Sequence, residues 1–356
     1  MSPSSDFVPN NILVTGGAGF IGSHVANLLA REHPEYTVIV YDSLEYCASL
    51  DNLDQHLPNL TCIEGNILDA HAVTAALHVH AIDTVLHFAA QSHVDQSFGN
   101  SLTFTTHNCV GTHMVLECCR AYGKLRRLVY VSSDEVTGST SEGVVEGLTE
   151  EATMNPTNPY AASKAAAEMI VKSYMTSFGL PCVITRGNNV FGPGQYPEKL
   201  VPKAIVLALR GLPIPLHGDG SALRSYLHVD DVAAAFDVIL HRGVTGHTYN
   251  IGSQEERAAR QVAEDIVGFT RSSAGIVHVR DRCFNDRRYF ISDKKLTELG
   301  WRPLKAWDDG LRETIAWYAN LLHVDGQEQS DGLQEHWPRG DLGEAMKAHP
   351  ADDAVS

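Results

Sequence analysis

The sequence predicts an α/β chain: a Rossmann-type doubly wound parallel sheet with a smaller C-terminal substrate-binding lobe. Three observations lead there. Short β-branched runs alternate with longer helical patterns through the first half. Those runs are continuously apolar, as in parallel strands covered on both faces. A glycine-rich turn follows the first run directly and opens a helix.

In order, Ile12-Leu13-Val14 is the first strand, and Ile21 to Arg31 the helix after it. Val38-Ile39-Val40, Leu60-Thr61-Cys62-Ile63, Thr84-Val85-Leu86 and Leu128-Val129-Tyr130-Val131 also read as buried strands, with a helix over Thr103 to Tyr122 before the last. Asn158-Pro159 starts a long helix to Phe178, and Cys182 to Thr185 is the next strand. Beyond Asn188, prolines 193, 197, 202, 213 and 215 break the pattern into loops and small elements, with helices at Val229 to His241 and Ala259 to Thr270. Such segments cap the carboxyl ends of the strands, where open α/β sheets bind ligands. We divide the chain into a cofactor domain over 1–187, a lobe over 188–323 with some strands returning to the first domain, and a mobile tail over 324–356, which is polar and lacks helical period.

The 356 residues include 27 Lys and Arg against 43 Asp and Glu, a formal charge of −16 that disfavours a nucleic-acid partner. With 44% hydrophobic and 20% charged residues the chain is neither disordered nor collagen-like. No apolar run suits a membrane helix, and Met1 to Asn10 lacks a secretory signal. Seven cysteines, odd in number and without C-x-x-C, are expected as reduced, mostly buried thiols of a cytoplasmic protein. The 18 histidines form no H-E-x-x-H and no Cys/His cluster, so no metal is expected.

Thr15-Gly16-Gly17-Ala18-Gly19-Phe20-Ile21-Gly22 carries glycines at 16, 19 and 22. They permit a tight turn, close approach of a pyrophosphate to the backbone, and tight helix–strand packing; the helix N-terminus then offers free N–H groups. Asp42 ends the second strand 20 residues after Gly22, where a carboxylate accepts from both ribose hydroxyls and repels a 2′-phosphate, which favours NAD over NADP. Asn66 and Ile67 follow the third strand, at the adenine. Phe88, Ala89 and Ala90 follow the fourth, beneath the cofactor.

Tyr160 and Lys164 stand four apart on one helix face, 27 residues after Ser133. An ammonium and a nicotinium charge nearby would favour the phenolate. Taken singly, a Y-x-x-x-K is a solvated helix face; with Ser133 it resembles the short-chain dehydrogenase/reductase superfamily in its extended form. Asp134 and Glu135 directly follow that serine, an acid and a base beside one sugar, as eliminating water requires.

The resemblance narrows with His87 to Asp95, Val131 to Val136, Asn158 to Lys164, Arg186 to Pro193, Tyr196 to Leu200, His217 to Gly220, Arg224 to Leu227, Tyr249 to Gly252, and Asp281-Arg282 through Phe290. Together with Thr15 to Gly22 they are similar to nucleotide-sugar 4,6-dehydratases, most of all the eukaryotic UDP-glucose 4,6-dehydratases and the dehydratase half of plant rhamnose synthases. The resemblance implies a catalytic set of Ser133, Asp134, Glu135, Tyr160 and Lys164, with Tyr160 and Lys164 also touching NAD. It implies nucleotide-sugar contacts from Ser92, Ser133, Asn189, Lys199, Leu200, Arg224, Asn250, Arg282 and Asn285. It also implies a homodimer paired through a four-helix bundle of the Thr103 to Tyr122 and Pro159 to Phe178 helices, and a separate epimerase/reductase downstream. The departures are Ser133 for threonine, Asn66 for aspartate, His107 for threonine, Thr137 for tyrosine, and Asn285 for the histidine of many bacterial members. Four other readings compete: the same reaction on dTDP-glucose, C4 epimerisation, UDP-glucuronate decarboxylation, and an NAD-binding regulator without turnover. The Asp134-Glu135 pair argues against the epimerase and decarboxylase, and the intact Ser-Tyr-Lys set against the regulator.

Overall fold

The computed structural model describes residues 6–282, 284–323 and 332–347. Its centre is a parallel seven-stranded sheet. Six strands come from the first 187 residues: β1 (Asn11–Thr15), β2 (Thr37–Asp42), β3 (Leu60–Glu64), β4 (Thr84–His87), β5 (Arg127–Val131) and β6 (Cys182–Gly187). The seventh, Thr248–Ile251, arrives from much later in the chain. The order across the sheet is β3-β2-β1-β4-β5-β6 and then Thr248–Ile251. In register, Val14 lies opposite Val40 on one side and Leu86 on the other. The order reverses between β1 and β4, which opens a crevice beyond their carboxyl ends.

Both faces of the sheet are covered, and this is why the strands read as unbroken apolar runs. Ile12, Val14, Val38 and Val40 pack against Val25, Ala26 and Leu29 of the Phe20–Glu32 helix and Phe236 and Ile239 of the Val229–Arg242 helix. Leu13, Ile39, Val85 and Leu128 point the other way, onto Val73, Leu77, Leu116 and Val171. β3 departs from the expectation of a buried strand. It has a neighbour on one side only, and Thr61 and Cys62 are exposed. An apolar run does not distinguish a central strand from an edge. The thiols are correspondingly mixed: Cys118, Cys119 and Cys182 are buried, Cys47 and Cys109 partly so, and Cys62 exposed, while Cys283 lies outside the described residues.

The long helix spans Pro159–Phe178, capped by Asn158 Oδ1 accepting from the Ala161 amide at 2.8 Å and closed by Gly179 at φ 65°. The Ser101–Tyr122 stretch is helical throughout, but Thr105–Gly111 widens into a π-helical turn. The lobe carries a four-stranded sheet (Glu256–Ala258, Leu223–His228, Arg288–Tyr289, Asn189–Phe191) and the parallel pair Ile214–His217 and Ile276–Val279, with the Leu200–Leu209, Ala259–Thr270 and Trp307–His323 helices over them. The lobe is not contiguous in sequence. The Val229–Arg242 helix packs on the first helix and Thr248–Ile251 extends the main sheet.

The expected mobile tail needs correction. Residues 324–331 and 348–356 lie outside the described residues, but Gly332–His336 and Leu342–Met346 are helices, and Leu333 and Trp337 are buried in the core of the lobe. Five-residue helices are too short to show a hydrophobic period, which is why they do not stand out from a polar stretch. No helix among the described residues is long and apolar enough to cross a membrane.

Candidate active site

A cleft of about 1110 Å³ runs between the carboxyl ends of the sheet and the lobe. At its sheet side Gly16 holds φ +68°, and a Cβ there would lie 2.6 Å from the Ala89 amide nitrogen. A Cβ on Gly22 would lie 2.3 Å from the Gly16 carbonyl. Gly19 is the N-cap of the first helix and brings no side chain to it, so the turn presents bare backbone donors to the cleft. Phe20 and Ile21 line the same turn, and Phe88, Ala89 and Ala90 form the opposite wall. Asp42 accepts the Ala18 amide at 2.9 Å on one oxygen and the Leu44 amide at 2.8 Å on the other. Burial raises its pKa against those two hydrogen bonds. Asn66 Oδ1 accepts the Leu68 amide, and Asn66 and Ile67 line the cleft beyond Asp42. Bare donors at a helix start, a carboxylate at the next strand end and glycines that admit no Cβ suit a dinucleotide.

The catalytic candidates converge at the ends of β5 and the long helix. Ser133 Oγ accepts the Glu135 amide and donates to Asp134 Oδ1, both at 3.3 Å, and also hydrogen-bonds Tyr160. Asp134 is buried, and Asn188 Nδ2 donates to its Oδ2 at 2.7 Å. Burial, with the neighbouring Glu135 charge, raises its pKa to about 7. Glu135 is also raised by burial, opposed by Asn158 Nδ2 at 2.8 Å and by the charges of Arg224, Lys199 and Arg282. Lys164 donates to the Val131 carbonyl at 2.5 Å, and burial lowers its pKa to about 7. Tyr160 corrects an expectation. The protein's own groups do not favour its phenolate; burial and the Glu135 charge push its pKa up, with only Ser133 opposing.

On the lobe side, Lys199 donates to the Ser92 carbonyl at 2.7 Å and Arg224 to Asn285 Oδ1 at 3.2 Å. Arg282 makes a two-point ion pair with Asp95, at 2.5 and 2.9 Å. Asn189 and Leu200 also line the cleft. Asn250 does not. It is buried in the seventh strand, its backbone amide donating to the Glu150 carboxylate and its Nδ2 to the Leu148 carbonyl, which leaves only its buried Oδ1 without a partner.

Sequence reasoning passed over several residues that line the same cleft. Besides Asn188, Tyr289 donates to Glu135 at 3.3 Å and to Asp286, and Tyr46 donates to the buried Glu198 at 2.9 Å. Asn188, Glu198, Asp286 and Tyr289 lie inside runs quoted for the resemblance, which was the available signal; Tyr46 had none. Outside the cleft, His33, Asp237 and His241 meet with His33 Nε2 2.9 Å from Asp237, a grouping that separations of 204 residues hide from any spacing search.

Residues 13–314 match the family described as GDP-mannose 4,6 dehydratase. An Arabidopsis thaliana protein described as trifunctional UDP-glucose 4,6-dehydratase/UDP-4-keto-6-deoxy-D-glucose 3,5-epimerase/UDP-4-keto-L-rhamnose-reductase is 49% identical over 350 residues, 97% of this chain and 50% of its own length. The chain thus spans about half the length of that relative. The dTDP-D-glucose 4,6-dehydratase of Mus musculus is 41% identical over 321 residues, 88% of this chain and 89% of its own. The crystal structure of a dTDP-glucose 4,6-dehydratase from Streptomyces venezuelae with NAD bound superposes with a TM-score of 0.84 at 38% identity, covering 88% of this chain and 98% of that one.

Proposed function

Since the chain belongs to the GDP-mannose 4,6 dehydratase family, we propose that it is an NAD-dependent hydro-lyase converting UDP-glucose to UDP-4-keto-6-deoxy-D-glucose and water. The observation that carries this reading is the adjacency of buried Asp134 and half-buried Glu135 in one pocket with Tyr160. NAD, held by the Gly16 to Gly22 turn, Asp42, Asn66, Ile67, Phe88, Ala89, Ala90, Tyr160 and Lys164, supplies the hydride chemistry that oxidises C4 and later reduces C6.

Tyr160 accepts the C4 hydroxyl proton, and Ser133 holds the C4 oxygen. Because this pocket raises the Tyr160 pKa, the phenolate needs positive charge beyond what the protein supplies, which a bound nicotinium ring provides. Lys164 holds the nicotinamide ribose. The C4 ketone acidifies C5, so Glu135 takes the C5 proton and Asp134 protonates the leaving C6 hydroxyl, which departs as water. Glu135 then returns its proton to C5. One turnover leaves Tyr160 with a proton gained and Asp134 with one lost; Ser133, hydrogen-bonded to both, is the route that restores them.

Lys199, Arg224 and Arg282 supply the local positive charge for the diphosphate in a chain of net charge −16, with Ser92, Asn189, Leu200 and Asn285 completing the nucleotide-sugar contacts. Residues 1–187 serve mainly the cofactor and 188–323 mainly the sugar. A homodimer would pair the long helices, whose outward stripe of Ala162, Ala166 and Met169 lies beside exposed Leu102 and Val110. The keto sugar would pass to epimerase and reductase activities of the kind in the name of the Arabidopsis relative.

The preference for UDP rests on the 49% identity to the Arabidopsis protein against 41% to the mouse dTDP-D-glucose enzyme. A site that hydrogen-bonds the ribose 2′-hydroxyl favours UDP by about 5- to 150-fold. Mass spectrometry of the product and kcat/KM for UDP-glucose and dTDP-glucose, side by side, test both levels. Loss of water from UDP-glucose with the higher kcat/KM is expected. A preference for dTDP-glucose overturns the nucleotide assignment, and an epimer or no product overturns the dehydratase.

A further inference from the structure

Residues 332–347 make two kinds of contact, an apolar anchor and a polar attachment. The anchor is apolar. Trp337 is fully buried and meets the Tyr196 ring edge-on at 5.4 Å, while Leu333, Leu342 and Ala345 join the same core. Gly340 comes so close to Tyr196 that a Cβ would lie 2.8 Å from its hydroxyl. The attachment is polar and crosses to the sheet. Arg339 Nη1 donates to the carbonyls of Ser43 and Leu44, at 3.3 and 3.0 Å, and Nη2 to Glu64 at 2.9 Å. His336 Nε2 lies 2.8 Å from Asn52 Oδ1, and Asn52 Nδ2 donates to the Ala18 carbonyl at 3.0 Å.

Each attachment leads to a residue whose amide orients Asp42, Arg339 directly to Leu44 and His336 through Asn52 to Ala18. The two amides that Asp42 accepts are those of Ala18 and Leu44. Leu44 is one of three non-glycine residues with positive φ among the described residues, at 51°, a conformation unfavourable for a leucine unless neighbours hold it. Arg339 holds the carbonyl of that same residue.

We propose that residues 332–347 are a strap that retains the dinucleotide, with Arg339 as the positioning residue that fixes the loop after β2 and hence the Asp42 carboxylate. The proposal rests on the reading of the cleft as a dinucleotide site. An arginine bridging two carbonyls keeps the 43–44 turn in the one shape that aims the Leu44 amide at Asp42. Without it the turn relaxes, Asp42 loses an orienting donor, and the adenosine ribose loses a fixed acceptor. The Arg339–Glu64 pair is exposed at both ends and contributes little by itself.

The test uses the full chain and reads release of NAD. Purified protein loaded with labelled NAD is chased with unlabelled NAD, and the dissociation rate is compared for wild type, Arg339→Ala and Glu64→Gln, with the melting temperature of each NAD-free protein alongside. Arg339→Ala is expected to release NAD about tenfold faster with an unchanged melting temperature, and Glu64→Gln to stay within about twofold of wild type. If Arg339→Ala lowers the melting temperature, Arg339→Lys, which keeps the charge but cannot span two carbonyls and Glu64, replaces it with the same expectation. Equal release rates for wild type and the arginine variants overturn the strap while leaving the dinucleotide site standing. A wild-type protein that holds no dinucleotide overturns both. Faster release from Glu64→Gln to the same extent overturns the role given to the carbonyl contacts.

Discussion

Asp134 and Glu135 are chain neighbours with different surroundings. Asp134 is buried and Glu135 half-buried in the cleft wall; Glu135 receives Asn158 and the charge of three basic residues, whereas Asp134 has Asn188, one of those basic residues and the Glu135 charge itself. A protonated Asp134 near neutral pH suits the donor role proposed for it, with Glu135 as the acceptor. The donor form of Asp134 is full below about pH 7 and lost above it, so kcat should fall as pH rises through about 7. Asp134→Asn should lower kcat by about 10²- to 10⁴-fold and remove that limb from the pH–rate profile; an unchanged limb assigns it to another group. Glu135→Gln leaves the C4 oxidation possible but stops C5 deprotonation. In deuterium oxide the variant should accumulate reduced cofactor and put no deuterium at C5, and normal exchange would move the base elsewhere. The adjacency of the two acids was legible in the sequence. Their different hydrogen-bond surroundings were not, because Asn188, Asn158 and Tyr289 reach them from three separate segments.

The long helix is tied to β6 by a buried ion pair. Glu168 takes Arg186 at 2.7 and 3.2 Å with both side chains out of water, and Lys172 adds a third contact at 2.9 Å. Burial alone would raise the Glu168 pKa; the hydrogen bonds and charge of Arg186, with Lys172, hold it below the ordinary value. Glu168→Gln leaves the guanidinium buried without its counter-charge, at an expected loss of about 3–5 kcal/mol in the free energy of unfolding by denaturant. A loss under about 1 kcal/mol would mean that water or another acid reaches Arg186. Elements of this kind read well from sequence. The Pro159–Phe178 helix carries its cap, its first-turn proline and its closing glycine in plain order. The seventh strand did not, since four residues with a central asparagine make no apolar run. The edge position of β3 was hidden for the reason already given, that burial on a strand depends on neighbours the strand does not encode.

At the scale of the molecule, the proposed dimer face gives its own test. Ala166 is exposed at the centre of the outward stripe of the long helix and makes no contribution to the monomer core. Ala166→Arg should convert a dimer into a monomer by light scattering with little change in secondary structure, and a wild type that is already monomeric, at 38.8 kDa, would end the proposal. The passage from the main sheet to the lobe was legible in the change from regular alternation to proline-broken chain. The return of residues 229–251 to the first half and the docking of 332–347 on the lobe were not, because both depend on surfaces assembled from distant segments. That return has a consequence for biosynthesis. β6 is complete at Gly187, but the strand that covers its edge ends at Ile251, 64 positions later, and the helix that covers Val25 and Leu29 lies in the same interval. At about 5–20 residues per second a ribosome needs roughly 3–13 seconds to deliver them. For that time the nascent chain shows an open apolar strand edge and half of an uncovered sheet face, the surfaces on which unfinished chains associate. Substitutions in residues 229–251 should therefore reduce the yield of soluble protein more than the activity of the molecules that finish folding.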